Sequence, residues 1–159
     1  MQTEKLDAID LQILEELQTQ GRTKRNELAE KVKLSIPAVS ERLRKLEERG
    51  VIRSFNAVLD ARKVGLEVTA FIFVMAESST FYPQILERAT NHPEILECYA
   101  ITGEGSHILK ARTRSTATLE KLLSQIQSWP GVTNTRTSIV LSSPKETTVL
   151  PLTHLTPVA

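Results

Sequence analysis

The sequence predicts an α+β fold in which three short helices precede a unit of four strands and two helices. Two observations support this. Between residues 6 and 46 apolar residues recur at the three- and four-residue spacing of amphipathic helices. After Gly65, stretches with the two-residue period of strands alternate with helical stretches. At 159 residues, with 40% hydrophobic and 25% charged residues, the chain has the composition of an ordinary globular protein and room for two small domains.

The first helix is predicted to begin after Asp7, a good N-cap, with Asp10 placed to bond back to the cap. Leu6 and Leu11 can staple the entry of the chain, and Gly21 ends the helix. The inward positions at helical spacing are Ile9, Ile13, Leu14 and Leu17.

Two more helices follow, joined by a tight turn at Lys33 and Leu34. Thr23 is predicted to cap the second helix and Ser35 the third, which tolerates Pro37 in its first turn and stops at Gly50. The second helix has a narrow apolar face formed by Leu28, Ala29 and Val32. The third helix has an apolar stripe formed by Val39, Leu43 and Leu46, and its opposite face is polar. Residues 51–59 are predicted to be extended and 60–65 to be a linker.

The second half is predicted to contain strands at 66–76, 94–102, 106–113 and 132–141. A helix at 81–91 separates the first two strands, and a helix capped by Ser115 precedes the last. Two successive strand-helix-strand units of this size predict a ferredoxin-like βαββαβ domain.

The first of these strands is apolar on both faces, with Phe71, Phe73 and Met75 opposite Ile72 and its neighbours. Helices of this fold cover only one side of the sheet, so the other side needs a cover. A second copy of the chain is the favoured cover, and the chain's own residues 146–155 are the alternative.

The charge distribution and the helix pair together indicate DNA binding. Net charge is only +1, yet the segment from Arg22 to Arg53 carries ten basic and five acidic residues. Two helices joined by a short turn, the second with a polar, basic front, match a helix-turn-helix that enters the major groove. A three-helix bundle with a solvated charged face is the alternative. The candidate DNA contacts are the small or polar first-turn residues and the following cations, namely Ser35, Pro37, Ala38, Ser40, Arg42, Arg44 and Lys45.

Other functional classes find little support. The single cysteine, Cys98, is expected to be a small buried residue, and the three histidines show no metal-ligand spacing. The sequence has no nucleophile motif, phosphate-binding loop or convergent acid–base pair, so we expect no enzyme and no cofactor. Without a secretory signal or a long apolar run, the protein is expected to remain in the cytoplasm, away from membranes.

The chain resembles the leucine-responsive and asparagine-operon (Lrp/AsnC) family of transcription regulators. The likeness begins with "LDAIDLQILEELQTQGRTKRNELAEKVKLSIPAVSERLRKLEERGVIRSFNAVLD" and continues through "LEVTAFIFV", "ITGEGSHILKARTRS", "WPGVTNTRTSIVL" and "KETTVLPL", covering nearly the whole chain in order. It implies a winged helix-turn-helix domain at 1–51, an extended strand and linker at 52–65, and a ferredoxin-like ligand-sensing and oligomerisation domain at 66–159. It further implies control of amino-acid metabolism genes.

The resemblance also implies partners. Family members pair through the C-terminal sheets, often build octamers from four dimers, and commonly bind a free amino acid between dimers. Effector contacts would come from the loop after the second strand and from the last strand, at Thr102, Gly103, Glu104, Gly105, Ser106, His107, Thr135, Thr137 and Ser138.

The chain departs from the family at this loop. In the family an acid and then an aromatic residue usually stand two or three residues after the Thr-Gly pair, whereas this chain has Gly105, Ser106 and His107 there. A carboxylate is the natural partner of an effector's ammonium group, and Glu104 could replace the missing one. Two interpretations remain open: an altered effector site, or a tight turn made by two glycines. The alternative function is an architectural DNA-binding protein without an effector.

Overall fold

The computed structural model describes residues 5–155. They form two compact units. The helical unit comprises residues up to Val58 together with those from Lys145 onward, and the sheet unit comprises Leu59–Pro144. The C-terminal segment therefore groups with the N-terminal helices, although it lies within the range 66–159 predicted for the second domain.

The helical unit contains α1 (Ala8–Thr19), α2 (Arg25–Val32) and α3 (Ile36–Glu48). The caps predicted for α1 and α3 are confirmed. The Asp10 backbone N–H donates to the Asp7 carboxylate at 2.8 Å, and the Asp7 N–H donates to the Asp10 carboxylate in return. The Ser35 hydroxyl accepts from the Ala38 N–H at 3.3 Å. These bonds satisfy backbone donors that have no partner inside a helix.

The cap predicted for α2 is wrong. The helix begins one residue later, with Lys24 as the N-cap, and the Glu27 carboxylate accepts the Lys24 backbone N–H at 3.2 Å. The Thr23 hydroxyl instead donates to the Gln20 carbonyl at 2.7 Å. Thr23 therefore closes the turn after α1 rather than opening α2.

The predicted apolar stripe of α3 is buried and packs against the other two helices. Val39 and Ile13 are completely buried, and the remaining members of the cluster are nearly so: Leu14, Leu28, Ala29, Val32, Leu43 and Leu46. Between α2 and α3, Lys33 adopts a left-handed conformation with φ of 55°, which allows the Leu34 N–H to donate to the Ala29 carbonyl. The stripe fixes the side of α3 that faces outward.

The extended segment predicted at 51–59 forms no strand. Residues 53–60 carry no regular structure and are exposed. A β-strand needs the backbone groups of a neighbouring strand for its hydrogen bonds, and no described part of this chain supplies them here.

The sheet unit contains β1 (Val68–Ala76), α4 (Tyr82–Asn91), β2 (Ile95–Ala100), β3 (His107–Thr113), α5 (Thr116–Gln127) and β4 (Val132–Ile139). The strand order is β2-β3-β1-β4, and every neighbouring pair is antiparallel. This confirms the α+β fold and its βαββαβ arrangement. Strands β2 and β4 each end two residues earlier than predicted.

The two faces of β1 are used as predicted. Ala70, Ile72 and Val74 are buried in the core that includes Ile85 of α4 and Leu122 of α5. Phe71, Phe73 and Met75 lie on the opposite, open face and are only partly buried. Cys98 packs against the core, half-buried rather than fully buried, and burial raises the pKa of its thiol.

The C-terminal segment is bound to α1 by a reciprocal pair of hydrogen bonds. The Leu150 backbone N–H donates to the side-chain carbonyl of Gln18 at 2.7 Å, and the Gln18 amide donates to the Leu150 carbonyl at 3.1 Å. Leu152, two residues on, packs against the helical core. One glutamine thus bonds the backbone as a neighbouring strand would.

We predict that Gln18→Ala loosens this segment, because both hydrogen bonds are lost while the helix keeps a good helix former. Proteolysis between residues 145 and 155 should accelerate severalfold, as measured by mass spectrometry of the fragments. Gln12→Ala, an exposed change on the same helix, serves as the control. Equal cleavage rates for the two variants would contradict the prediction.

Candidate nucleic-acid interface and ligand loop

The outward face of α3 carries most of the predicted DNA contacts. Helical spacing puts Pro37, Arg44 and Lys45 away from the buried stripe, and all three are exposed. Ser35 is exposed at the cap, while Ala38 and Ser40 are partly buried. A rigid, outward-facing helix of this kind can enter a major groove.

The cations on this face are paired with carboxylates of the same helix. The Arg44 guanidinium donates to both oxygens of Glu41, at 2.9 and 2.7 Å, and also to Glu48. The Lys45 ammonium lies 3.6 Å from Glu41. The hydrogen bond from Arg44, aided by the two positive charges, lowers the pKa of Glu41 to about 2. Any phosphate bound by Arg44 or Lys45 must therefore compete with a carboxylate that stays ionised.

Arg42 points in a different direction from the other candidates. Its guanidinium donates to Asp7 and to Asp10 at 2.7 Å each, and 29% of its side chain is exposed. The pKa of Asp7 is lowered, first by the bond from the Asp10 N–H and then by Arg42. Arg42 thus braces α3 against the start of α1, so the structure separates it from the predicted DNA contacts.

Four exposed cations that the candidate DNA contacts did not include lie beside α2. Arg22, Lys24 and Arg25 occupy its start, Lys33 occupies the turn before α3, and none forms an ion pair with another residue in the range 5–155. The sequence signal for these four residues is the basic stretch from Arg22 to Arg53 itself. These side chains can bind phosphate without displacing a carboxylate.

The predicted ligand loop connects β2 to β3 through a tight turn. Gly103 and Gly105 have φ of 98° and 97°, a conformation that favours glycine. A Cβ at position 105 would lie 3.0 Å from the Val74 carbonyl oxygen. Ser106 donates to that oxygen from both its N–H, at 2.8 Å, and its hydroxyl, at 3.1 Å. The two glycines therefore have a structural role in the turn.

His107 follows the loop and is completely buried. Because the Ser106 hydroxyl donates to Val74, its oxygen accepts from His107 Nδ1, at 2.9 Å. Nε2 is then the unprotonated nitrogen, and it has no hydrogen-bond partner among residues 5–155. The Tyr82 ring packs edge-on, with the ring centroids 4.8 Å apart. Burial lowers the pKa of His107, since a proton on Nε2 would put an unpaired charge in the core.

The predicted effector residues do not form one cluster. His107 and Thr135 flank Val74 on the helix-covered side of the sheet, and Thr137 pairs with Ile72 on that same side. Ser138 pairs with Phe71 and so faces the open side. Thr102, Gly103 and Glu104 are exposed in the loop.

Glu104 already has a partner. It forms an ion pair with Arg136 of β4, whose guanidinium lies 4.7 Å from the centre of the Phe73 ring. The carboxylate that could replace the family's acid is therefore occupied by a cation from the chain itself.

Residues 5–155 lack two further features. No helix there is long and apolar enough to cross a membrane. No group of three or more histidine, cysteine, aspartate or glutamate side chains there is placed to hold a metal ion.

We predict that Arg42→Ala lowers the free energy of unfolding of the helical unit by about 1–2 kcal/mol near neutral pH, because the buried carboxylate of Asp10 and the exposed carboxylate of Asp7 lose their cation. Folding lowers the pKa of Asp7. The stabilisation that the ionised Asp7 contributes is therefore present above the pKa of the unfolded chain and is lost as the pH falls through the pKa of the folded chain. Urea unfolding followed by circular dichroism should show the variant approaching the wild type below about pH 4.

Arg44→Ala is the matched control, since its ion pairs are exposed and should change the stability by less than about 0.5 kcal/mol. Equal losses for the two arginine variants at pH 7 would contradict the bracing role of Arg42.

Comparison with known proteins agrees with this architecture. Residues 6–53 match a model described as winged helix-turn-helix DNA-binding, and residues 69–150 match the Lrp/AsnC ligand binding domain. The HTH-type transcriptional regulator FL11 of Pyrococcus horikoshii is 38% identical over 147 residues, covering 92% of this chain and 97% of that protein. The leucine-responsive regulatory protein of Rhizobium meliloti is 33% identical, covering 89% of this chain and 92% of its own length.

A solved structure shows the same fold. The complex of a Neisseria meningitidis transcriptional regulator with L-Met superposes with a TM-score of 0.89 at 36% identity, covering 96% of this chain and all of that one. The relatives are named as regulators and not as enzymes. The chain belongs to the Lrp/AsnC family of transcription regulators, with a helix-turn-helix DNA-binding domain and a ligand-binding domain.

Proposed function

We propose that this chain is a sequence-specific regulator of amino-acid metabolism genes that acts in the cytoplasm. The observation that carries the proposal is the outward face of α3, which projects from a fully packed base. A dimer would present two such helices to successive major grooves, about 34 Å apart on a pseudo-palindromic site. In this arrangement the first turn of α3 lies nearest the base edges.

Phosphate binding is assigned to the cations beside α2. Arg22, Lys24 and Arg25 are exposed and have no carboxylate to displace, unlike Arg44 and Lys45. Contacts to phosphate position a helix-turn-helix on the duplex and give binding its salt dependence. Arg42 contributes indirectly, because it holds α3 in place.

Dimerisation is assigned to the open face of the sheet. Phe71, Phe73 and Met75 project from it and are only partly buried. The alternative cover, the segment 146–155, groups with the helical unit, which favours a second copy of the chain. Four dimers forming an octamer is the larger assembly that the family resemblance implies.

A free amino acid is the proposed effector, bound in the sheet unit near the loop of residues 102–107. The Neisseria relative in complex with L-Met supports this class of ligand. The chemistry here would differ, because Ser106 replaces the usual acid and Glu104 is paired with Arg136. An incoming ammonium group would have to compete with Arg136 for that carboxylate.

Selection from a random duplex pool tests the DNA-binding proposal. We predict that the full-length protein enriches a defined sequence and prefers it over random duplex by about a thousandfold at physiological salt. Lys24→Ala should weaken binding and reduce the slope of log affinity against log salt by about 0.9, because one phosphate contact is lost. Lys121→Ala, an exposed lysine of the sheet unit, is the control and should change neither quantity.

A pool that enriches no sequence, despite tight binding, would favour the alternative function, an architectural DNA-binding protein without an effector.

Thermal unfolding with each of the standard amino acids at millimolar concentration tests the effector. A ligand that binds only the folded chain raises the melting temperature, since it stabilises that state. We predict a rise with at least one amino acid, and a different response in Glu104→Gln, which removes the charge that Arg136 and an ammonium group would share. No rise with any of the amino acids would overturn the amino-acid effector.

A further inference from the structure

Ile36 is a half-exposed apolar side chain at a specific point of the helix-turn-helix. It is the first residue of α3, three residues before Val39, and is not part of the buried stripe. Val39 is fully buried, yet 48% of Ile36 is exposed. A lone exposed isoleucine is ordinary on a protein surface. Ile36, however, lies in the first turn of the helix that is proposed to meet base edges. Its role there depends on whether the neighbouring side chains can form hydrogen bonds to bases.

The neighbours of Ile36 have little capacity to read bases by hydrogen bonding. Pro37 and Ala38 have no polar side-chain atom, and the Ser35 hydroxyl, whose oxygen accepts a hydrogen bond as the cap of α3, offers a single O–H donor. Ser40, one turn on, offers a single hydroxyl. Bidentate readout of guanine or adenine needs an arginine, lysine, asparagine or glutamine, and the first turn has none.

The arginines farther along α3 are also committed. Both terminal nitrogens of Arg44 are hydrogen-bonded, one to Glu41 and one to Glu48. Arg42 is held by Asp7 and Asp10. Discrimination at the tip of α3 is therefore left mainly to apolar contact.

The major groove offers one apolar group for such contact, the 5-methyl group of thymine. We propose that Ile36 contacts a thymine methyl group in each half-site and is a specificity-determining residue. The inference rests on the proposed function, since it requires that α3 enter the major groove.

Removing single methyl groups from the DNA tests the contact. In the duplex enriched by selection, each thymine is replaced in turn by uracil, which keeps every hydrogen-bonding group and loses only the methyl. At one symmetric pair of positions the wild type should lose about fourfold in affinity per half-site, the effect of about one methyl group returned to water. Ile36→Ala should bind the original duplex more weakly and should not respond to the same replacement.

Two further variants complete the design. Ile36→Val keeps a methyl group near the base and should remain sensitive to uracil, and it also guards against misfolding of the alanine variant. Leu141→Ala removes an exposed apolar side chain from the sheet unit and should behave as the wild type.

The outcomes separate the inference from the function on which it rests. Equal sensitivity of the wild type and Ile36→Ala at every thymine, or no sensitivity in the wild type, would overturn the role of Ile36 while leaving sequence-specific binding intact. A selection that enriches no sequence would overturn the proposed function, and the inference with it.

Discussion

The burial of the apolar stripe of α3 is the constraint on which the DNA-binding unit depends. Val39 and Leu46 have almost no exposed surface, and their partners come from both α1 and α2. Truncating any one of them would leave a cavity worth a few kcal/mol in a unit with few other core residues. Because the stripe occupies one side of α3, it also decides which side chains face outward. The orientation of every candidate contact follows from this packing.

Ion pairs within α3 reduce the positive charge of its outward face. Within α3 the carboxylates of Glu41 and Glu48 neutralise Arg44, so the outward face of the helix is not a simple cationic surface. Uncompensated cations increase binding to any duplex, since phosphate carries no sequence information. A helix whose cations are paired with its own carboxylates binds the phosphates of an arbitrary duplex less strongly. Under the proposed function, the cations beside α2 supply affinity for any duplex and α3 supplies selectivity.

The sequence predicted the features that depend on local rules. The caps at Asp7 and Ser35 follow from which side chains can accept a backbone N–H, and the faces of β1 follow from strict alternation. The features that the sequence did not predict have longer-range causes. The direction of Arg42 depends on carboxylates 35 and 32 residues away along the chain, and no local pattern reveals that distance in space. The extended segment before Leu59 had the composition of a strand but no described partner.

The sequence predicted the turn before β3 but not the contacts of its side chains. Its glycines predicted a turn, and the turn is present. The ion pair between Glu104 and Arg136 could not be predicted, because it depends on the register of β4 against β1, and the sequence does not give that register. The effector assignments came from resemblance, and alternation along β4 places Thr137 and Ser138 on opposite sides of the sheet.

The return of the C-terminal segment to α1 makes the DNA-binding unit discontinuous in sequence. Its helices leave the ribosome before the sheet unit, and the residues that bond Gln18 follow that unit. The unit therefore cannot reach its final packing until the whole sheet unit has been synthesised.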